Sequence, residues 1–305
     1  MSSHVFGPVP SRRLGRSLGV DLVPMKTCSY DCIYCQLGRT SRKTTERKPW
    51  VPINDVLSEL ADGLSARPDY VTLSGSGEPT LHSQIGEVID RIRTMTDIPV
   101  AVLTNGSLLW QEEVRRQLRE ADLIIPSLDA GCEEAFRRVN RPHEEISFER
   151  LVEGLVALAD EYRGEYWLEV FLLADVTAND AEVSRLVACV DRIRPNRVQL
   201  NTVARPPVES FALAVSQARM DELARRFHPP AEVICEFRAE AERPEVAANR
   251  DRILDLLRRR PSTLDDIAAG LGMHPNEVVK YAEQLTAQGL LLRTRSGGRF
   301  YYQLT

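Results

Sequence analysis

The sequence predicts an α/β protein, a partial (β/α)6 TIM-like barrel followed by a small second domain, and three observations predict it. Strand-like apolar runs alternate with helix-like runs six times between residues 17 and 227, the pattern of a parallel sheet covered by helices. Six units suit an open barrel better than a closed eight-stranded one. Polar turns follow directly on several of the strands, which places them together on the C-terminal face of the sheet.

Taken in order, a Pro- and Gly-punctuated entry leads to a strand at 17–24, which feeds a cysteine-rich loop. The spacing then predicts a helix near 53–66, a strand at 70–73, a helix near 83–94 and a strand at 98–103. A helix near 111–120 and a strand at 122–125 follow, then helices near 132–138 and 147–162. A strand at 166–172, a helix near 179–193, a strand at 197–200 and a helix near 216–227 complete the six units.

The loop after the first strand carries Cys28, Cys32 and Cys35, a CxxxCxxC run. Three soft ligands so close together can share one metal centre, and both a tetrahedral ion and a cubane iron-sulfur cluster would then keep one position open. A zinc ion would need a fourth ligand, yet His4 lies far upstream and the next histidine is His82. The remaining cysteines, Cys132, Cys189 and Cys235, read as buried small hydrophobes.

The 305 residues are 43% hydrophobic and 27% charged, with a net charge of −5. No run has the length of a signal peptide or a membrane span, and the expectation is a cytoplasmic protein. Residues 1–50 hold nine Lys or Arg against three acids. The excess is either a solvated surface or a positive rim that attracts an anionic substrate.

The polar turns are Ser74-Gly75-Ser76-Gly77-Glu78-Pro79-Thr80, Thr104-Asn105-Gly106, Ser127-Leu128-Asp129 and Asn201-Thr202. Any one alone is an ordinary βα turn. All four on the face that carries the cysteines outline a composite ligand site.

These residues resemble the radical S-adenosylmethionine (radical SAM) enzymes over roughly 15–205. Cys28, Cys32 and Cys35 match the family's cysteine motif, with Tyr34 as the aromatic residue before the last cysteine. The resemblance implies a 4Fe-4S cluster whose open iron is chelated by S-adenosylmethionine. Ser76-Gly77-Glu78-Pro79 resembles the Gly-Gly-Glu-Pro motif that receives the methionine amino group, with Ser76 in place of the first glycine. Thr104, Asn105, Ser127 and Asp129 sit where relatives contact the ribose or the methionine carboxylate, and Asn201 where the sixth strand meets the adenosine.

The implied activity is that of an oxidoreductase-type radical enzyme. One electron, from a donor such as flavodoxin or ferredoxin, cleaves S-adenosylmethionine to a 5'-deoxyadenosyl radical, which abstracts hydrogen from a substrate. Within the superfamily, the segments 6–15, 35–40 and 204–207 resemble proteins related to the wyosine-base-forming tRNA enzymes. In that reading Arg12, Arg13 and Arg205 bind a substrate phosphate or carboxylate, whereas taken singly each reads as a surface or supporting arginine. The wyosine enzymes also carry extra N-terminal cysteines, and none precedes Cys28 here.

Domain boundaries are expected at 1–238 for the barrel, 239–248 for a charged linker and 249–305 for a second domain. Three helices, near 249–257, 265–270 and 276–288, precede two strands around Ser296-Gly297-Gly298. This resembles a winged helix-turn-helix domain. The segment 249–305 has nine basic and six acidic residues, but the would-be recognition helix offers Glu277, Lys280 and Glu283, a poor set for DNA. Its expected use is to recruit a peptide or protein by strand addition beside the wing, with nucleic acid second. The expected substrate is therefore a macromolecule, peptide, protein or tRNA. The alternative is an iron-sulfur regulator that senses S-adenosylmethionine and acts through a DNA-binding winged helix.

Overall fold

The computed structural model describes residues 4–204, 207–234, 244–259, 261–271, 273–296 and 299–305. Its central sheet has eight strands. They are β1 (Val5–Ser11), β2 (Gly15–Val20), β5 (Tyr70–Leu73), β6 (Val100–Thr104), β7 (Leu123–Pro126), β8 (Glu165–Leu172), β9 (Arg197–Thr202) and β10 (Glu232–Val233), hydrogen-bonded in that order. From β2 to β10 every pairing is parallel. The six parallel strands from β2 to β9 are those expected from the sequence, and the α/β class with a partial barrel holds. Two short strands, β3 (Thr27–Cys28) and β4 (Arg42–Lys43), pair inside the cysteine loop.

Helices α1 (Ile53–Leu64), α2 (Ile85–Met95), α3 (Glu112–Gln117), α4 (Glu133–Asn140), α5 (Phe148–Glu161), α6 (Asp180–Ile193) and α7 (Gln217–Ala224) fill the connections. Each longer helix turns one apolar stripe inward: Ile53, Val56, Leu57 and Leu60 in α1, and Ile85, Val88, Ile89 and Ile92 in α2. Side-chain caps fix where three of them begin. Ser147, Asn179 and Ser216 accept from the backbone N–H three residues on, at the heads of α5, α6 and α7.

β1 is a strand of the central sheet that the sequence pattern does not reveal. Pro8 and Pro10 suppress the strand signal, but β1 lies at the sheet edge, antiparallel to β2 and bulged between Phe6 and Val9, where missing N–H groups are tolerated. Its Phe6 ring covers Gly19, and a Cβ at Gly19 would collide with that ring.

The C-terminal part holds α8 (Pro244–Arg259), α9 (Leu264–Leu271), α10 (Pro275–Ala287) and a hairpin of β11 (Leu291–Ser296) and β12 (Arg299–Leu304). α8 begins inside the stretch read as linker. The core of this part is not self-contained. Ile253, Leu257, Ile267, Val278, Tyr281, Leu285 and Tyr302 pack in one cluster with Phe6 and Val9 of β1. β1 thus joins two cores, one on each side. No helix among the described residues is long and apolar enough to cross a membrane.

Candidate functional site

The C-terminal ends of the parallel strands open on a cavity of about 380 Å³. Cys28, Cys32 and Cys35 line it, with Tyr34, Gly77, Glu78, Thr104, Asn105, Ser127, Asn201, Arg12 and Arg13. Residues scattered over 190 positions of sequence therefore meet at one place.

Each thiol has a nitrogen donor. Lys26 Nζ lies 3.1 Å from Cys35 Sγ, Asn105 Nδ2 lies 3.5 Å from Cys28 Sγ, and Asn140 Nδ2 lies 3.5 Å from Cys32 Sγ. Burial, followed by the Glu78 charge, pushes the free Cys28 thiol up to about 12, and burial with the Asp129 charge raises Cys32 as well. Metal binding would displace those protons. Among the described residues no three His, Cys, Asp or Glu side chains are gathered as ligands of a single ion. A cubane needs no such gathering, because each cysteine binds its own iron. Three thiols on one cavity, each with an N–H donor to offset thiolate charge, fit that group.

Glu78 braces the floor. Its Oε1 accepts from Thr104 Oγ1 at 2.6 Å and from Thr80 Oγ1 at 2.6 Å, and its Oε2 accepts from the Asn105 N–H at 2.7 Å. Burial raises this carboxyl above its usual range although those hydrogen bonds oppose the shift. The turn after β5 is thereby fastened to the turn after β6. Gly77 has to be glycine: a Cβ there would collide with the Thr27 carbonyl.

Ser76, Pro79 and Asp129 are not on the cavity wall; they lie behind it. Ser76 bonds Asp21 through its N–H and its hydroxyl, and Pro79 starts a short 3-10 turn. Asp129 accepts from Tyr34 Oη at 2.5 Å, Asn140 Nδ2 at 2.8 Å and the Phe171 N–H at 3.2 Å. Burial lifts its carboxyl to about 6 against those bonds. The Tyr34 ring so held stacks on Phe171 with centroids 4.0 Å apart.

The arginines proposed for substrate are paired. Arg13 forms an ion pair with Glu169 and donates to Gln199 at 3.3 Å; Arg12 donates to Asn201 at 3.0 Å and forms an ion pair with Glu283 of α10. Arg205 lies outside the described residues. Elsewhere in the basic N-terminal segment, Arg39 pairs with Asp31 and Glu209, and Lys48 lies over the Trp50 ring. Several cations of the positive rim are thus paired with carboxylates.

Lys26, Asn140, Glu169, Phe171 and Asp21 are the contributors that the sequence reading passes over. Two of them left a signal, a carboxylate set within an apolar strand run: Asp21 in Val20–Val23 and Glu169 in Leu168–Val170. Of the other cysteines, Cys189 is buried as expected, whereas Cys132 is half-buried with Sγ 3.7 Å from Glu182 Oε2. Cys235 lies outside the described residues.

Residues 22–187 match the family model described as the radical SAM superfamily. The chain is similar to a protein named GTPase Obg from Brachyspira hyodysenteriae, 37% identical over 94% of this chain and 43% of that protein. It is also similar to UPF0026 protein MJ1312 of Methanocaldococcus jannaschii, 38% identical over 68% of this chain and 65% of that protein. The chain therefore spans less than two thirds of the length of either relative. Its fold resembles a crystal structure of a radical SAM methyltransferase from Sphaerobacter thermophilus, with a TM-score of 0.56 at 15% identity, over 73% of this chain and 67% of that one.

Proposed function

This chain belongs to the radical SAM superfamily, whose cofactors are a 4Fe-4S cluster and S-adenosylmethionine, and from that premise we propose that it is an enzyme that removes a hydrogen atom from its substrate. The observation that carries the reading is the meeting of Cys28, Cys32 and Cys35 with the turns at Gly77-Glu78 and Thr104-Asn105 on one cavity. When bound, the two cofactors supply one-electron cleavage of a sulfonium and the hydrogen-abstracting species that results.

The protein's own residues bind and orient. Cys28, Cys32 and Cys35 hold the cluster, and Lys26, Asn105 and Asn140 offset the charge on their sulfurs. Glu78 fixes the two turns that face the methionine end of S-adenosylmethionine. Ser127 and Asn201, on the cavity wall, would meet the ribose or methionine carboxylate and the adenosine respectively. Tyr34, stacked on Phe171 and tied to Asp129, fastens the cysteine loop to β8 and to the turn after β7.

The winged-helix reading of the C-terminal part is supported by its order of three helices and a hairpin. Gene regulation is not favoured. The helix that would enter a DNA groove, α10, buries Val278, Tyr281 and Glu283 and turns Asn276 and Lys280 to the cavity. The hairpin is better suited to a peptide or protein: among the described residues β11 pairs on one side only, with β12, and Leu292 is exposed. Arg293 and Arg295 lie over the Phe300 ring on the same hairpin. A peptide or protein substrate recruited along β11 ranks ahead of tRNA.

The test is anaerobic reconstitution with iron and sulfide, reduction, and assay for 5'-deoxyadenosine. Formation of 5'-deoxyadenosine by the wild-type chain, and its loss with the iron in Cys28→Ala, Cys32→Ala and Cys35→Ala, is expected. A fully loaded, reduced protein that binds S-adenosylmethionine but never forms 5'-deoxyadenosine overturns the reading.

A further inference from the structure

We infer that α10 is a working part of the S-adenosylmethionine site, because His274 and Asn276 position the turn at 74–77 by gripping Asp21 from behind it. The inference rests on the radical SAM reading and extends it to a module outside the barrel.

It begins with Ser76, which stands where the family's motif has glycine. The Ser76 N–H bonds Asp21 Oδ1, and its hydroxyl donates to Oδ2 at 2.7 Å. The neighbouring Gly75, at φ +152°, admits that carboxylate against the backbone; a Cβ there would collide with Asp21 Oδ1. Asp21 is therefore the mould on which the turn is shaped.

The other side of the same carboxylate belongs to α10. His274 Nε2 lies 3.0 Å from Asp21 Oδ2, and Asn276 Nδ2 lies 3.4 Å from Asp21 Oδ2 and 3.4 Å from Ser76 Oγ. Asp21, Ser76, Asn276 and the His274 side chain are each more than nine-tenths buried. A carboxylate in such a place requires donors on every side.

Histidine at position 274 is set to be one of those donors. It is the N-cap of α10, and its Nδ1 accepts from the Asn276 N–H at 3.2 Å. Nε2, the nitrogen that faces Asp21, is therefore left as the ring's donor. Stacking on Phe6, with centroids 4.6 Å apart, fixes the ring plane. One turn further along α10, Lys280 reaches the cavity wall, and Glu283 pairs with Arg12. The helix that closes the cavity also sets the turn that faces the cofactor, across 255 positions of sequence between Asp21 and Asn276.

Full-length, cluster-loaded His274→Ala, Asn276→Ala and His274→Gln variants test this, with S-adenosylmethionine affinity from equilibrium dialysis, the EPR shift of the reduced cluster on its addition, and iron content. The alanine variants are expected to bind S-adenosylmethionine about tenfold more weakly, from loss of a hydrogen bond to a charged group, with iron unchanged; glutamine, which keeps a donor, restores part of the affinity. Wild-type affinity in both alanine variants, or a parallel loss of iron, overturns the inference. Should His274→Ala not fold, Ser76→Ala and its combination with Asn276→Ala serve instead. A double variant no weaker than the weaker single supports the coupling, and wild-type affinity in Ser76→Ala refutes it. Absence of binding by the loaded wild-type chain would instead remove the radical SAM reading on which the inference stands.

Discussion

The Thr104 hydroxyl donates to Glu78 Oε1 at 2.6 Å, so a residue at the end of β6 holds a carboxylate from the turn after β5. The neighbouring Asn105 N–H takes the other oxygen. Glu78 and Thr104 are buried, and in Glu78→Gln the new amide must face either the Thr80 N–H or the Asn105 N–H, donor against donor. We expect a loss of about 2 kcal/mol in stability and weakened S-adenosylmethionine binding. Urea denaturation and equilibrium dialysis measure the two; an unchanged midpoint would show that the turn does not depend on this carboxylate.

Asp129 gives a pH prediction. Burial lifts its carboxyl from 3.8 to about 6 in the folded chain, so between those values the native state keeps a proton that the unfolded state has released. Unfolding free energy therefore falls as pH rises through that window. In metal-free protein the wild-type chain should lose stability relative to Asp129→Asn between about pH 4 and 6. Parallel profiles of the two proteins would contradict the assignment.

Arg13 and Glu169 form an ion pair with side chains only 13% and 14% exposed. Removing one partner strands the other charge, so Glu169→Ala should cost about 3 kcal/mol. The double variant with Arg13→Ala should recover part of the loss, because no stranded charge remains. Additive losses in a double-mutant cycle would rule out direct coupling.

Gly154 lies within α5, where Gly→Ala ordinarily stabilises a helix by about 1 kcal/mol. Here a Cβ would collide with Trp110 N and come within 2.6 Å of the Leu109 carbonyl carbon. The sign should reverse: Gly154→Ala lowers the thermal midpoint, and a raised midpoint would mean that the loop at 109–110 yields.

What the sequence determined by itself was local or periodic. Cys28, Cys32 and Cys35 lie within eight residues, so their shared site was legible as spacing. The six parallel strands were legible because each is a short apolar run bounded by polar turns. Their common polarity places Glu78, Thr104, Ser127 and Asn201 on one face.

Tertiary structure alone decided the rest, because those contacts join residues that no period relates. β1 was hidden by two prolines that are harmless only at a sheet edge. Nothing local marks Glu283 and Glu169 as the partners of Arg12 and Arg13; packing supplies them. That Asp129 accepts from Tyr34 and Asn140 is likewise decided by packing. Above all, the place of α10 against Asp21 and Ser76 follows from the shared apolar core of Phe6 and Val9 with Val278 and Tyr281. Burial of apolar surface draws the two ends of the chain together without regard to sequence distance, and the polar contacts that matter at the site are fixed only once that packing is complete.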